Sequence, residues 1–231
     1  GRVARRRRGD IVLSTKLGYG VPGVPDWTGP CITRGIEQAR ARLGVDALDV
    51  AHLHSCPLAV LTGGEVVEAL LAAVSAGQVR AAAYSGEGEA LDHAVACGAF
   101  AVVQASCSLV DPAGAGLRRA RTAGLGTIAK RPLGNGAWQQ ATRPDAPDRG
   151  TYFDRWQALA LPELGLPADE VWLRWVAWHP AVDAAIAGTT SAARLRHNAA
   201  IVARGPLPAD VLAAIDAAQQ AAGAAAWPGV V

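Results

Sequence analysis

Short apolar runs with strand periodicity alternate along this chain with longer stretches whose apolar residues recur at helical spacing. Residues 11–18, 48–54, 79–85, 101–106, 127–131 and 184–188 read as strands. In the first of them Val12, Ser14 and Lys16 fall on one face, because successive side chains of a strand point to opposite sides. Ile32, Ile36, Ala39 and Leu43 repeat at helical spacing, with Arg34, Glu37, Arg40 and Arg42 mostly opposite. Further helices are predicted over 65–76, closed by Gly77, and over 89–97 and 117–123. Another covers 168–178, where Val171, Trp172, Trp175 and Val176 make the apolar face. Ser191 is placed to cap the next helix, and the last spans 209–222. Two long stretches fit no element. Residues 18–30 form a Gly/Pro-rich loop, and 132–151 are too long for a plain connector, a length usual for lids and binding loops.

Six strand–helix alternations imply parallel strands joined by right-handed crossovers. An open doubly wound sheet and a barrel both satisfy that pattern. No G-x-G-x-x-G follows a strand, so the dinucleotide-binding open sheet has no support. Polar residues with chemical potential instead stand at strand C-termini: Lys16, His54, Ser85, Gln104, Lys130 and Thr189. That is where barrels carry their chemistry.

Composition narrows the class. About half of the 231 residues are apolar (51%) and the net charge is +2, which makes no case for nucleic acid or an acidic partner. The one basic cluster, Arg5 to Arg8, is followed by Gly9-Asp10 and a strand, so it reads as a solvated helix end and not as a targeting signal. No window is apolar enough to span a bilayer. Cys31, Cys56, Cys97 and Cys107 form no C-x-x-C pair, which points to reduced thiols in a cytoplasmic protein. The chain starts at Gly1 and contains no Met, so a trimmed chain is expected. Lys16 and Lys130 are its only lysines, against twenty arginines, and both stand at strand ends where an amine can lose its proton and a guanidinium cannot.

His52 and His54 lie on one strand face. A metal pair would need further ligands at other strand ends, and His93, His179 and His197 fall in or beside helices. No metal is therefore expected; His52 reads as a core histidine and His54 as a hydrogen-bond donor at the strand mouth. Lys130 could form a Schiff base with a carbonyl, or with Arg131 stand beside a phosphate. The turn Pro132-Leu133-Gly134-Asn135-Gly136 offers backbone N–H groups to an anion. A second anion site is read at Gly188-Thr189-Thr190-Ser191, with Arg194 and Asn198 nearby.

Taken together, these motifs resemble the aldo-keto reductase family. The resemblance rests on S-T-K-L-G at Lys16, H-L-H-S-C-P at His54, Y-S-G at Ser85 and V-V-Q-A-S at Gln104, with I-A-K-R-P-L-G-N-G from Ile128 and A-I-A-G-T-T-S…R…N from Ala185. It covers essentially the whole chain. It implies an α/β fold of the (β/α)8 TIM-barrel type, present as one incomplete domain over 1–231 with about six βα units. It also implies NADP(H), or alternatively NAD(H), and a small-molecule aldehyde or ketone as substrate. By the family pattern Lys16 tunes a proton donor and His54 orients the carbonyl. Ser85 and Gln104 would hold the nicotinamide carboxamide, and Leu133 and Gly134 would line the pyrophosphate. Thr189, Thr190, Arg194 and Asn198 would take the adenosine end, with Arg194 at a 2′-phosphate. Lys130, Arg131 and Gly188 complete the expected cofactor set, and Tyr19, Trp27 and Trp138 the substrate pocket.

Three positions depart from the family. Gly86 stands where Asn is usual, Lys130 where an aromatic ring stacks on the nicotinamide, and Gly188 where a lysine often meets the 2′-phosphate. The first two family strands, with a catalytic Asp and Tyr, have no counterpart before Ile11. Tyr19 is then the candidate phenol, since Tyr84 should face the helices. Open strand edges predict a homodimer or another assembly that covers them. Two other functions remain open: acid–base or Schiff-base chemistry on the same barrel, and a catalytically inactive ligand- or partner-binding protein.

Overall fold

A computed structural model describes residues 1–112 and 115–230 of the chain. Along it run α1 (Arg2–Arg6), β1 (Ser14–Leu17), α2 (Gly29–Leu43), β2 (Leu48–His54), α3 (Leu58–Gly63), α4 (Glu65–Ser75), β3 (Val79–Ser85) and α5 (Gly88–Ala96). Then follow β4 (Val102–Ser106), α6 (Ala115–Thr122), β5 (Gly126–Lys130), a 3-10 segment Gly134–Gln139, α7 (Pro147–Leu159), α8 (Ala168–Ala177), β6 (Ala184–Ala185), α9 (Ala192–Val202) and α10 (Ala209–Ala221). The chain divides into two compact units, 1–104 with 122–126, and 105–121 with 127–231.

In the first unit β1 pairs with β2 and β2 with β3, all parallel. One face of these strands is apolar: Leu17, Ala51, Leu53, Ala82 and Tyr84 are buried on it. Helix α2 supplies Ile32 and Ile36 to the core, and α4 supplies Val66 and Leu70. Both helices start and stop where local chemistry asks. Thr28 Oγ1 accepts the Cys31 N–H at the head of α2, Pro30 occupies its first turn, and Gly44 ends it in a left-handed conformation. The Glu65 carboxylate, at the start of α4, accepts the Gly29 N–H at 2.8 Å and so ties the two helix N-termini together.

Strand β1 is shorter than the expected 11–18. Leu13, just before it, is held to β2 twice over: its carbonyl accepts the Asp49 and Val50 N–H groups at 3.1 and 3.0 Å, and its own N–H donates to Asp49 Oδ2 at 2.7 Å. Arg8 grips the same carboxylate with two bonds of 2.8 Å, and Arg80 lies 3.3 Å from it. The basic run is thus partly structural, since Arg8 locks the strand entry.

The second unit repeats that device. Asp183, just before β6, accepts the Thr127 N–H at 2.9 Å and the Thr127 hydroxyl at 3.0 Å, and pairs with Arg121. β5 and β6 are parallel, but β6 has only two residues where five were expected. Beyond Ile186, whose N–H still reaches the Ala129 carbonyl, no further ladder bond to β5 is made among the described residues. In α8 the expected apolar face is buried, and Glu170 and Arg174 form an ion pair of 2.6 Å beneath it. The stretch 132–151 is only partly loop: α7 begins at Pro147, a residue well suited to a first helical turn. No helix among the described residues is long and apolar enough to cross a membrane.

Arg8 and the Leu13 N–H together hold the Asp49 carboxyl below its ordinary value of 3.8. The charged form is favoured by the folded state, so this stabilisation is whole above the unfolded-chain value and is lost as pH falls through the folded one. Asp49→Asn should cost about 1–3 kcal/mol near pH 7 and less at pH 3. Urea denaturation at the two pH values measures it.

Candidate active site

The parallel register places the polar residues of the first unit side by side. Lys16 pairs with His52, His54 with Ser85, and Ser85 with Gln104. Paired residues of adjacent strands project to the same face, so Ser14, Lys16, His52, His54, Ser85 and Gln104 share the face opposite the helices.

Depth along that face sorts them. His52 is fully buried, and its Nε2 lies 3.0 Å from Ser14 Oγ. Burial holds its pKa down from 6.5 to about 4, the nearby Tyr84 carbonyl opposing weakly, with the charges of Lys16 and His54 adding to the depression. It is therefore a neutral core histidine. Lys16, level with His52 but on the outermost strand of the ladder, is exposed, and His54, two residues nearer the end of β2, is half-buried. Ser85 and Gln104 are buried, and Gln104 Nε2 donates to Ser85 Oγ at 3.1 Å.

Loop residues complete this end of the unit. The Tyr19 hydroxyl is hydrogen-bonded to His54 Nδ1, and the two rings stack at 5.5 Å. Trp27 meets Tyr19 edge-on at 5.8 Å. Tyr84 faces the other way, as expected: its hydroxyl donates to the Cys56 carbonyl at 3.2 Å, and burial pushes its pKa up. That contact accounts for Gly86. A Cβ there would fall 2.3 Å from the Tyr84 hydroxyl, so no larger side chain fits beside this tyrosine.

In the second unit Lys130 ends β5 half-buried, its carbonyl accepting the Cys107 N–H at 3.1 Å. Arg131 takes a left-handed backbone conformation, and its guanidinium donates to the Val230 carbonyl and to Ser106 Oγ at 3.5 Å. The turn after it is closed on itself: Gly134 N–H donates to the Arg131 carbonyl at 2.9 Å and Gly136 N–H to the Leu133 carbonyl at 2.8 Å. Those two amides are used internally, leaving the turn a weaker anion cradle than its composition suggests. Trp138 packs against buried Trp172 at 4.8 Å. Gly188, Thr189, Thr190 and Arg194 are exposed around the start of α9, and Asn198 is buried one turn beyond Arg194. Thr189 Oγ1 accepts the Ser191 N–H at 3.1 Å, and Ser191 caps the helix through the Arg194 N–H at 3.3 Å.

A model of the aldo/keto reductase family matches residues 1–220. The chain belongs to the aldo/keto reductase family. Family membership makes it an oxidoreductase of the NAD(P)H-dependent, carbonyl-reducing kind. Its fold is that of solved members. Aldo-keto reductase AKR11C1 from Bacillus halodurans superposes with a TM-score of 0.79 in its holo form, at 21% identity, over 94% of this chain and 75% of that one. The apo form gives 0.77, at 20% identity over 94% and 74%. These likenesses identify the α/β barrel of aldo-keto reductases as the fold. No curated protein matches the chain.

Sequence reasoning passed over one polar cluster. In the second unit Asp111 Oδ2 accepts the Tyr152 hydroxyl at 3.1 Å and the Val230 N–H at 3.2 Å, and Arg155 donates to the Pro228 carbonyl at 2.6 Å. Arg155 also lies over the Trp227 ring at 5.3 Å. These partners are far apart in sequence and share no regular spacing. Among the described residues no group of three or more His, Cys, Asp or Glu is arranged to hold a metal ion.

Because the folded state keeps His52 neutral down to about pH 4, the unfolded chain binds the extra proton between pH 6.5 and 4. Stability is thus complete above pH 6.5 and falls on acidification, by on the order of 3 kcal/mol for this one group. In a pH series of NMR spectra, the His52 ring signals should stay unshifted down to about pH 5.

Proposed function

We propose that this chain reduces a small aldehyde or ketone with NADP(H), working as a single aldo-keto-reductase-like barrel domain. The observation that carries the reading is the register of His54, Ser85 and Gln104 beside Lys16. Gln104 and Ser85 fit a primary carboxamide. An amide and a hydroxyl offer both donors and acceptors, and a carboxamide needs both. When bound, the cofactor would supply a hydride, and with it both electrons, to the carbonyl carbon, while the carbonyl oxygen would take the proton of a donor beside Lys16.

The chain's own residues do the rest. Ser85 and Gln104 orient the nicotinamide ring. His54 directs a hydrogen bond to the substrate oxygen, where negative charge develops, and the Lys16 ammonium favours a nearby proton donor in its ionised state. Lys130, Arg131, Leu133, Gly134, Gly188, Thr189, Thr190 and Asn198 make up the remaining cofactor contacts, with Arg194 selecting the 2′-phosphate of NADP over NAD. Tyr19, Trp27 and Trp138 contribute to the substrate pocket, although the packing of Trp138 on Trp172 gives that residue a structural role as well. Reduced thiols and modest net charge suit a cytoplasmic enzyme without nucleic-acid or membrane partners. The outer edge of β1, which ends the strand order beyond β2, favours a homodimer or another assembly that covers it.

Titration with NADPH, followed by its fluorescence, tests the reading. Binding in the micromolar range is expected, and no binding at millimolar cofactor would overturn it. The double variant Ser85→Ala, Gln104→Ala should weaken NADPH and NADH alike by roughly tenfold, as loss of one or two hydrogen bonds predicts. Arg194→Ala should weaken only NADPH.

A further inference from the structure

We infer that Tyr19 is a positioning residue that fixes the tautomer of His54, keeping the imidazole proton on Nε2. The inference rests on the reductase reading above for its consequence, though not for its geometry. Tyr19 is hydrogen-bonded to His54 Nδ1 and stacked on the same ring. The direction of that bond follows from elementary chemistry. A phenol is a much stronger acid than the N–H of a neutral imidazole, and an imidazole nitrogen is a better acceptor than a phenol oxygen. Tyr19 therefore donates and Nδ1 accepts, which leaves the ring proton on Nε2.

The loop is built to hold that arrangement. Trp27 N–H donates to the Gly18 carbonyl at 2.7 Å, and Gly20 N–H to Asp26 Oδ1 at 3.0 Å, closing the loop around Tyr19. Gly18 has φ +130°, and a Cβ there would lie 2.2 Å from the Trp27 ring. Only glycine lets the indole settle there, and the indole in turn backs the Tyr19 ring at 5.8 Å. Tyr84 and Tyr152, the other phenols of the chain, are buried with their hydroxyls bonded to Cys56 and Asp111. Tyr19 alone stands at the strand mouth.

The consequence is selectivity for what His54 can meet. A ring locked with Nε2–H gives a hydrogen bond and cannot take one from that nitrogen. It thus always presents a donor to a carbonyl oxygen, which can only accept.

Two-bond 15N–1H NMR spectra of the full chain, with His54→Gln used for assignment, test this directly. Wild type should carry the His54 proton on Nε2, with an Nδ1 signal displaced by its hydrogen bond. Tyr19→Phe should remove that displacement and populate the other tautomer. Carbonyl reduction adds a second readout: Tyr19→Phe should lower kcat/KM about tenfold, close to 1.4 kcal/mol, and leave NADPH binding unchanged. In a His54→Gln background the same substitution should cost nothing further. A wild-type ring protonated on Nδ1, ring signals indifferent to Tyr19→Phe, or additive losses in the double variant would overturn the inference. Failure of NADPH to bind would instead remove the reductase reading and leave the NMR result to stand alone.

Discussion

The parallel ladder joining β1, β2, β3 and the first residues of β4 is the constraint from which the site follows. Residues paired across parallel strands share a height and a face, so one choice of register decides which side chains meet. Here it sets His54 beside Ser85 and Ser85 beside Gln104, with Lys16 two residues lower against His52. A slip of one residue on β2 would send both histidines among the helices and bring Leu53 to the polar face. Ala51 and Leu53, fully buried on the opposite face, forbid that slip, because it would carry them out of the apolar core.

Keeping polar groups on an inward-facing strand surface has a cost, which pairing offsets. Ser85 and Gln104 are bonded to each other, and His52 to Ser14. The strand entries are treated in the same way. Asp49 and Asp183 each stand where a strand begins, accept a backbone N–H from the neighbouring strand's start and pair with an arginine from the preceding segment. Two carboxylates in equivalent roles, one in each unit, suggest a general solution: a charge-assisted bond that registers one strand against the next at the first backbone bonds of the ladder.

The resemblance to aldo-keto reductases and the local chemistry meet at the loop after β1. Gly18, Tyr19 and Trp27 are separated from His54 by most of a βα unit, yet Tyr19 and His54 share a hydrogen bond and a ring stack. Nothing in the Gly/Pro-rich composition of 18–30 reveals that the loop folds back on its own strand. The contact depends on the positive φ of Gly18 and on the bond from Trp27 to its carbonyl.

Periodicity alone was enough to locate β2 and β3 to the residue, and most helices to within two or three, because a half-buried element must repeat its apolar residues at the period of its backbone. It was also enough to set His52 and His54 on one face, with His52 the deeper of the two, since alternation fixes the face and position along the strand fixes the depth. Where bonding is not periodic the chain was silent. Residues 11–13 look like strand but lie outside β1, with Leu13 gripped by the Asp49 carboxylate as well as by the backbone of β2, and α7 begins inside a stretch whose Gly and Pro content reads as loop. The terminal segment Trp227 to Val230 shows no pattern at all, and only tertiary structure brings it to Arg131, Asp111 and Arg155. Sequence determines which residues can lie on one face; which partners lock them there is settled by contacts between parts of the chain that share no spacing.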